Sequence, residues 1–297
     1  MNRGLDLVGL NQALLGSPKW NGCINRIHYC TLKRMEKLLS QQQLDSFKTD
    51  GYLVLEGYFD SEHSQRVKND MDRMTANGVR SNHRLDILTN YPELGFLTSE
   101  PGIIARVSQL MGGTRFTHHH IHASSQTEGE KGEPWHHDYE QLPQTNRSHL
   151  MVHVFMYFDG LNGEIGDLLL LPGSQRQVMD RRALYDFGYA DLPGSIIMDS
   201  LAPGSIIILH SAILHARRPK PGGGSYRRYF VNTSYCQGGI LWCGVDEIAT
   251  LNQLALERGY DRQSRYSWLF DSSQFYNGTK VWQDLKEKNI GSLALKL

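Results

Sequence analysis

His136 and Asp138 stand one residue apart in the string Pro134-Trp135-His136-His137-Asp138-Tyr139. On a β-strand, residues i and i+2 project from the same face, so an imidazole and a carboxylate at this spacing can grip one metal ion. His215 follows on a separate apolar segment, after Gly204-Ser205-Ile206-Ile207-Ile208-Leu209-His210, and supplies a third ligand. Two histidines and one carboxylate on one side of an ion, with the opposite positions open, form the donor set of non-haem Fe(II) oxygenases. Among 13 histidines an H-x-D spacing alone is weak. Its force comes from order: H-x-D, then Pro172-Gly173-Ser174 closing an apolar run, then Pro203-Gly204 leading a strand towards His215, then an arginine at 228.

In that order the chain resembles the phytanoyl-CoA dioxygenase family of Fe(II)/2-oxoglutarate-dependent oxygenases, from about residue 39 to about residue 235. Leu39-Ser40 and Gly51-Tyr52-Leu53-Val54-Leu55 are similar to the family's opening helix and first strand. His136 and Asp138 match its H-x-D, and His215 its distal histidine. Asn162-Gly163 with Pro172-Gly173-Ser174-Gln175 is similar to its "NG…PGSH" segment, with glutamine where histidine is usual, in what reads as a surface turn. Arg228 matches the arginine that binds the far carboxylate of 2-oxoglutarate. A longer loop at 219–224 leaves Arg227 as a rival.

The arginine has a physical rationale of its own. A guanidinium fork neutralises a carboxylate with two parallel charge-assisted hydrogen bonds, which a lysine would not reproduce. Successive strand residues point to opposite faces, so only one of Arg227 and Arg228 can face inward.

The resemblance implies a mainly β protein with flanking helices, a double-stranded β-helix (jelly roll, cupin-like). It implies a dioxygenase that uses Fe(II), 2-oxoglutarate and O2 to oxidise a C–H bond of a small polar metabolite or natural product, by hydroxylation or a related reaction such as demethylation, releasing succinate and CO2. His136, Asp138 and His215 would be both metal ligands and catalytic residues. Asp138 occupies the place a halide would need, which disfavours halogenation. The family's matching strand lines the 2-oxoglutarate pocket, so His120 and His122 are read with Arg228 as its walls. The Trp-His-x-Asp-aromatic-Glu string is similar to that of ectoine-hydroxylating members. On that likeness Trp135, Tyr139, Glu140 and Gln141 are candidates to face the substrate. Arg217, Arg218 and Lys220 follow the distal histidine and are candidates to attract an anionic group such as a carboxylate or phosphonate. Two other classes stay open: a cupin-type metal enzyme that does not use 2-oxoglutarate, and a non-catalytic binding protein on the same barrel.

Composition narrows the rest. With 297 residues, 40% of them hydrophobic, the chain can bury a sizeable core in one main domain, expected at 39–238 between an N-terminal extension (1–38) and a C-terminal helical and aromatic extension (239–297) packing on the barrel. Thirty-one basic and 31 acidic residues cancel, so no global field favours nucleic acid or an anionic membrane, and the expected partner is a small molecule. Cys23, Cys30, Cys236 and Cys243 form no framework and read as reduced thiols. No leader and no stretch approaching about 18 apolar residues is present, which points to a cytoplasmic protein. Leu295-Lys296-Leu297 is a poor match to the peroxisomal Ser-Lys-Leu address. Neither the substrate's identity nor the oligomeric state is written in these patterns.

Periodicity places the elements. A helix over 39–49 feeds a strand over 52–58, and Ser61 is the expected N-cap of a helix running to 74, with Val67, Met71 and Met74 as its buried stripe and Asn77-Gly78 as its stop. Strands are expected at 115–122, 150–158, 167–171, 195–198, 205–210 and 229–235. Within His118-His119-His120-Ile121-His122, alternation puts His118, His120 and His122 on one face, and it turns His137 away from the metal side. Residues 241–258 read as helical, and the aromatic cluster at 266–270 as either a lid or packed core.

Overall fold

The computed structural model describes residues 38–126, 131–141, 147–164, 166–219 and 227–287. The N-terminal extension with Cys23 and Cys30, Lys220 and the rest of the long loop at 220–226, and the last ten residues lie outside the described residues.

The apolar run Ile206-Ile207-Ile208-Leu209 forms β9 (Ser205–His210), and its alternation explains why an unbroken hydrophobic stretch suits it. Ile206 and Ile208 enter one core, whereas Ile207 and Leu209 enter another. β4 (Met151–Tyr157) divides in the same way, with Val152, Val154 and Met156 on the first side and Phe155 and Tyr157 on the second. These strands lie inside a five-stranded sheet ordered β1-β9-β4-β11-β2, completed by β1 (Tyr52–Leu55), β11 (Arg228–Gln237) and β2 (Phe116–Gln126). A four-stranded sheet, β3-β10-β6-β7, is built from β3 (Glu133–His136), β10 (Leu214–Arg217), β6 (Leu168–Leu171) and β7 (Ile196–Met198). Leu168, Leu170 and Ile213 meet Phe155, Tyr157, Ile207 and Leu209 between the two sheets, and a short antiparallel pair, β5 (Leu161–Asn162) with β8 (Ser200–Leu201), adds Leu161 and Leu201 to that core. The result is the jelly roll the sequence led us to expect.

Helices cover the outer face of the large sheet. Ser40 caps α1 (Gln41–Asp50) in a reciprocal capping box with Gln43, and Gly51 ends it at φ 86°, a left-handed conformation that suits glycine. A side chain at that position would also collide with Gln175. Gln175 is buried rather than in a surface turn, and its amide donates to the carbonyls of Lys48 and Thr49 at 3.2 Å each, tying the turn after β6 to the end of α1. α2 (Ser61–Ala76) buries Val67, Met71 and Met74 as anticipated. Its cap is Asp60, whose carboxylate accepts the His63 N–H at 2.8 Å, and Ser61 is already helical. α3 (Arg84–Asn90), α4 (Pro92–Leu97) and α5 (Pro101–Leu110) complete the layer. Among the described residues, no helix is long and apolar enough to cross a membrane.

Two further local features depart from the sequence reading. Residues 241–258 are not one helix: β12 (Trp242–Gly244) pairs in parallel with β13 (Phe275–Asn277), and only Ile248–Glu257 forms α6. Tyr266, Leu269 and Phe270 are buried in the same core as Val67 and Met71, and Trp268 stands edge-on to Phe116 with ring centres 5.0 Å apart. In β2, His120 pairs with Ser234 and His118 with Tyr235, so His119 is an extra residue, a bulge. The bulge breaks the alternation. His118 packs with Tyr235 and Phe270 on the helix side, which Ile121 and Ala123 also face, so His118 does not share a face with His120 and His122.

Candidate functional site

β10 runs antiparallel to β3 with His215 directly opposite His136, and the two imidazole centres are 4.4 Å apart. The strand ends at His136, so Asp138 does not reach the site by simple alternation. It is turned inward beyond the strand end, where its N–H donates to the Ser211 carbonyl at 2.8 Å. Its carboxylate oxygens lie 3.5 Å from each Nε2, one facing His136 and the other His215. One ligand atom from each of the three residues falls within 4.8 Å of the others.

The far side of each ring fixes this arrangement. His136 Nδ1 lies 2.7 Å from the Pro134 carbonyl, and His215 Nδ1 3.1 Å from that of Ile213. A carbonyl can only accept, so each ring carries a hydrogen on Nδ1 and, in its neutral form, would present the Nε2 lone pair to the common centre. Although burial opposes it, hydrogen bonds from His136 and His215 hold the Asp138 carboxyl well below the usual carboxylate range. Burial likewise works against protonation of His136, but the hydrogen bond with Asp138 and its charge raise its pKa above the ordinary value. Two lone-pair nitrogens and one ionised carboxylate fit a divalent transition-metal ion, with the cavity side left for other ligands.

These ligands open into a cavity of about 740 Å³. Arg228 lines it, 3% exposed, with its guanidinium carbon 5.5 Å from the Tyr157 ring centre and 5.4 Å from that of Phe230. Arg227 is exposed and donates to Ser125 Oγ at 3.4 Å, so of the two arginines Arg228 is the inward one. Next to it, the buried Tyr157 hydroxyl and the Asn232 side-chain oxygen have no hydrogen-bond partner among the described residues. A polar group buried without a partner is costly, and these two would accommodate the polar end of a bound molecule. His122 and Arg217 also line the cavity.

Other residues expected here lie elsewhere. His120 is not among the residues that line the cavity: it bonds Ser234 Oγ at 3.0 Å and packs against the His153 ring. Trp135 is fully buried in a separate cluster with Leu169 and Leu214, its indole N–H donating to the Ala190 carbonyl at 2.8 Å. Tyr139 and Gln141 are likewise buried behind the site, the Tyr139 hydroxyl bonded to the His149 carbonyl at 2.6 Å and to the Gln141 amide. Strand alternation around His136 accounts for Trp135, which must point the opposite way. His137 is buried too, with Nε2 3.1 Å from the Met179 carbonyl, and burial pushes its pKa down to about 4. Arg218 is held by Asp167 and Asp191 rather than facing a ligand.

Sequence reasoning missed Phe230 and Asn232, although both follow from Arg228 by alternation along β11. It also missed Arg181, Arg182 and Tyr185, which reach the cavity from an irregular stretch with no periodic signal.

The phytanoyl-CoA dioxygenase (PhyH) family description matches residues 47–228, more than half of the chain, from the last turn of α1 to the inward arginine. The chain belongs to this family. A curated relative of this PhyH protein, the ectoine dioxygenase of Bordetella parapertussis, is 28% identical over 159 residues, 47% of this chain and 50% of the relative. The match thus spans about half the length of that relative. Among solved structures, HygX from Streptomyces hygroscopicus with iron bound aligns with a TM-score of 0.56 at 18% identity, over 70% of this chain and 90% of HygX. EctD from S. alaskensis, solved with 2-oxoglutarate and 5-hydroxyectoine, aligns at 0.55 and 16% identity, over 70% and 81%. At such identities the likeness is one of fold.

Proposed function

We propose that this PhyH-family chain is a non-haem Fe(II)- and 2-oxoglutarate-dependent dioxygenase that oxidises a C–H bond of a small polar molecule, by hydroxylation or a related reaction, releasing succinate and CO2. One observation carries the reading: the opposed His136 and His215 with Asp138, and the buried Arg228, line the same cavity. His136, Asp138 and His215 would hold the iron. The iron, when bound, supplies the means to activate O2 at the expense of 2-oxoglutarate. Arg228 would pair with the distal carboxylate of 2-oxoglutarate between the Tyr157 and Phe230 rings, with the Tyr157 hydroxyl as a second donor. The surrounding protein then contributes position and exclusion of water.

A cavity of about 740 Å³ suits a metabolite-sized ligand. Ser81, Gln126 and Asn232 on its wall favour a polar one, in keeping with the ectoine named for the curated relative. A cytoplasmic site of action, with no nucleic-acid or membrane partner, agrees with the balanced charge. A metal enzyme that does not use 2-oxoglutarate would have no need for a guanidinium buried to 3% exposure in the cavity that the metal ligands line. The test is succinate formation by the purified chain with Fe(II) and 2-oxoglutarate and no substrate, with His136→Ala as control. We expect slow uncoupled turnover from the parent and none from the variant. The absence of 2-oxoglutarate-dependent succinate from the parent overturns the reading.

A further inference from the structure

We propose that Arg181 is the positioning residue for the carboxylate of the metal triad, and that the loop at 179–190 is built to deliver it. The inference rests on the metal-site reading above. Arg181 Nη2 lies 3.3 Å from Asp138 Oδ1, and its Nη1 donates to Glu140 Oε1 at 3.0 Å. The fork therefore spans two carboxylates, Asp138, one of the three candidate metal ligands, and Glu140, which is not among them. Asp138 lacks the support that a strand would give it, since β3 stops at His136. Its backbone is fixed by Ser211, but among the described residues its side chain is oriented only by the two ligand histidines and Arg181.

The loop is fastened to the metal-binding strand by the residues that alternate with His136. The Trp135 N–H donates to the Gly188 carbonyl at 2.8 Å, and its indole N–H to the Ala190 carbonyl. The His137 N–H donates to the carbonyl of Arg181 itself at 3.1 Å, and its ring nitrogen bonds the Met179 carbonyl. Both side chains are fully buried. Trp135 and His137 thus lock the backbone from which Arg181 reaches the carboxylate, which gives these two residues a purpose that facing the substrate would not.

A positioning role and a merely electrostatic one differ in sign. A cation beside a metal ligand repels a divalent ion, so deleting its charge alone would tighten metal binding. Deleting an orienting partner weakens binding, typically by about 10- to 100-fold.

The experiment is a titration of the full-length protein with Co(II), following the visible absorption of the bound ion, for Arg181→Met, Arg181→Lys and His136→Ala alongside the parent. We expect Arg181→Met to bind Co(II) roughly 10- to 100-fold more weakly with an altered spectrum, and Arg181→Lys, which keeps one ion pair, to recover most of the affinity. Unchanged or tighter binding by Arg181→Met with the parent spectrum overturns the proposal. Equal losses in the Lys and Met variants, accompanied by a fall in melting temperature, assign the residue to loop packing and overturn it as well. If His136→Ala binds Co(II) as the parent does, the triad reading itself fails, a result distinguishable from failure of the Arg181 inference.

Discussion

Arg228→Ala is expected to raise the 2-oxoglutarate concentration needed for half-maximal turnover far more than any change at its neighbour Arg227. The side chain is 3% exposed between two aromatic rings, so solvent would screen little of its interaction with a carboxylate. Removing one partner from a buried pair costs about 3–5 kcal/mol, because the remaining charge is left unpaired. At about 1.4 kcal/mol per factor of ten, that is a loss of roughly 100- to 4,000-fold in apparent 2-oxoglutarate affinity. Arg228→Lys keeps the charge but not the planar fork and should fall between parent and alanine variant. Arg227 is exposed and makes one long bond to Ser125, so Arg227→Ala should shift the same constant by no more than about threefold. The assay is succinate formation against 2-oxoglutarate concentration at saturating Fe(II), paired with calorimetric binding of 2-oxoglutarate to the metal-loaded protein. A larger effect at Arg227, or a change below threefold at Arg228, would refute the assignment.

Replacing His136, Asp138 or His215 with alanine should each abolish Fe(II)-dependent succinate formation while the melting temperature stays within a few degrees of the parent; turnover retained in all three variants removes the triad. Trp268→Ala should behave as a core mutation. Trp268 is only partly buried, so a loss of about 2 kcal/mol is expected, which corresponds to a fall of roughly 4–8 °C in melting temperature for a domain of this size. The ratio of succinate to product should be unchanged, and a coupling defect at parental stability would mark the segment as a lid instead. Burial pushes His118 and His153 down to about 3, so both are neutral in the native protein at pH 6.5 whereas the unfolded chain begins to protonate them there. Stability is therefore fully present above pH 6.5 and is lost as pH falls towards 3, by up to about 1.4 kcal/mol per pH unit for each histidine. Denaturant midpoints between pH 7.5 and 4.5 measure this, and a flat profile contradicts the neutral, buried assignment.

The site was legible in the sequence wherever a short-range pattern coincided with a strand, and illegible wherever tertiary contacts overrode one. His136 and His215 could be paired from spacing and order because each sits in a regular strand of the same small sheet, opposite its partner. Asp138 stands beside the two histidines for a different reason from the one its spacing suggested, since a loop contact with Ser211 and not strand alternation turns it inward. Trp135 was expected to face the substrate on the family likeness, whereas alternation about His136 sends it away from the metal side, where it is buried with Leu169 and Leu214. In β2 a single extra residue at His119 moved His118 to the opposite face from His120 and His122, and no periodic reading can foresee a bulge that only the partner strand β11 reveals. Arg181 lies 43 residues from Asp138 in the chain and on no regular element, so nothing local announces it.

The two sheets divide the chemistry accordingly. The small sheet brings His136 and His215 together, whereas the large sheet supplies Tyr157, Arg228 and Asn232 from β4 and β11. A metal ion could be gripped from the small sheet and the segment that follows β3, but a co-substrate bound at both ends would have to span the gap between the sheets. If the proposed function holds, the packing of Phe155, Tyr157, Leu168 and Leu170 that sets that gap would be as much a part of co-substrate recognition as the arginine.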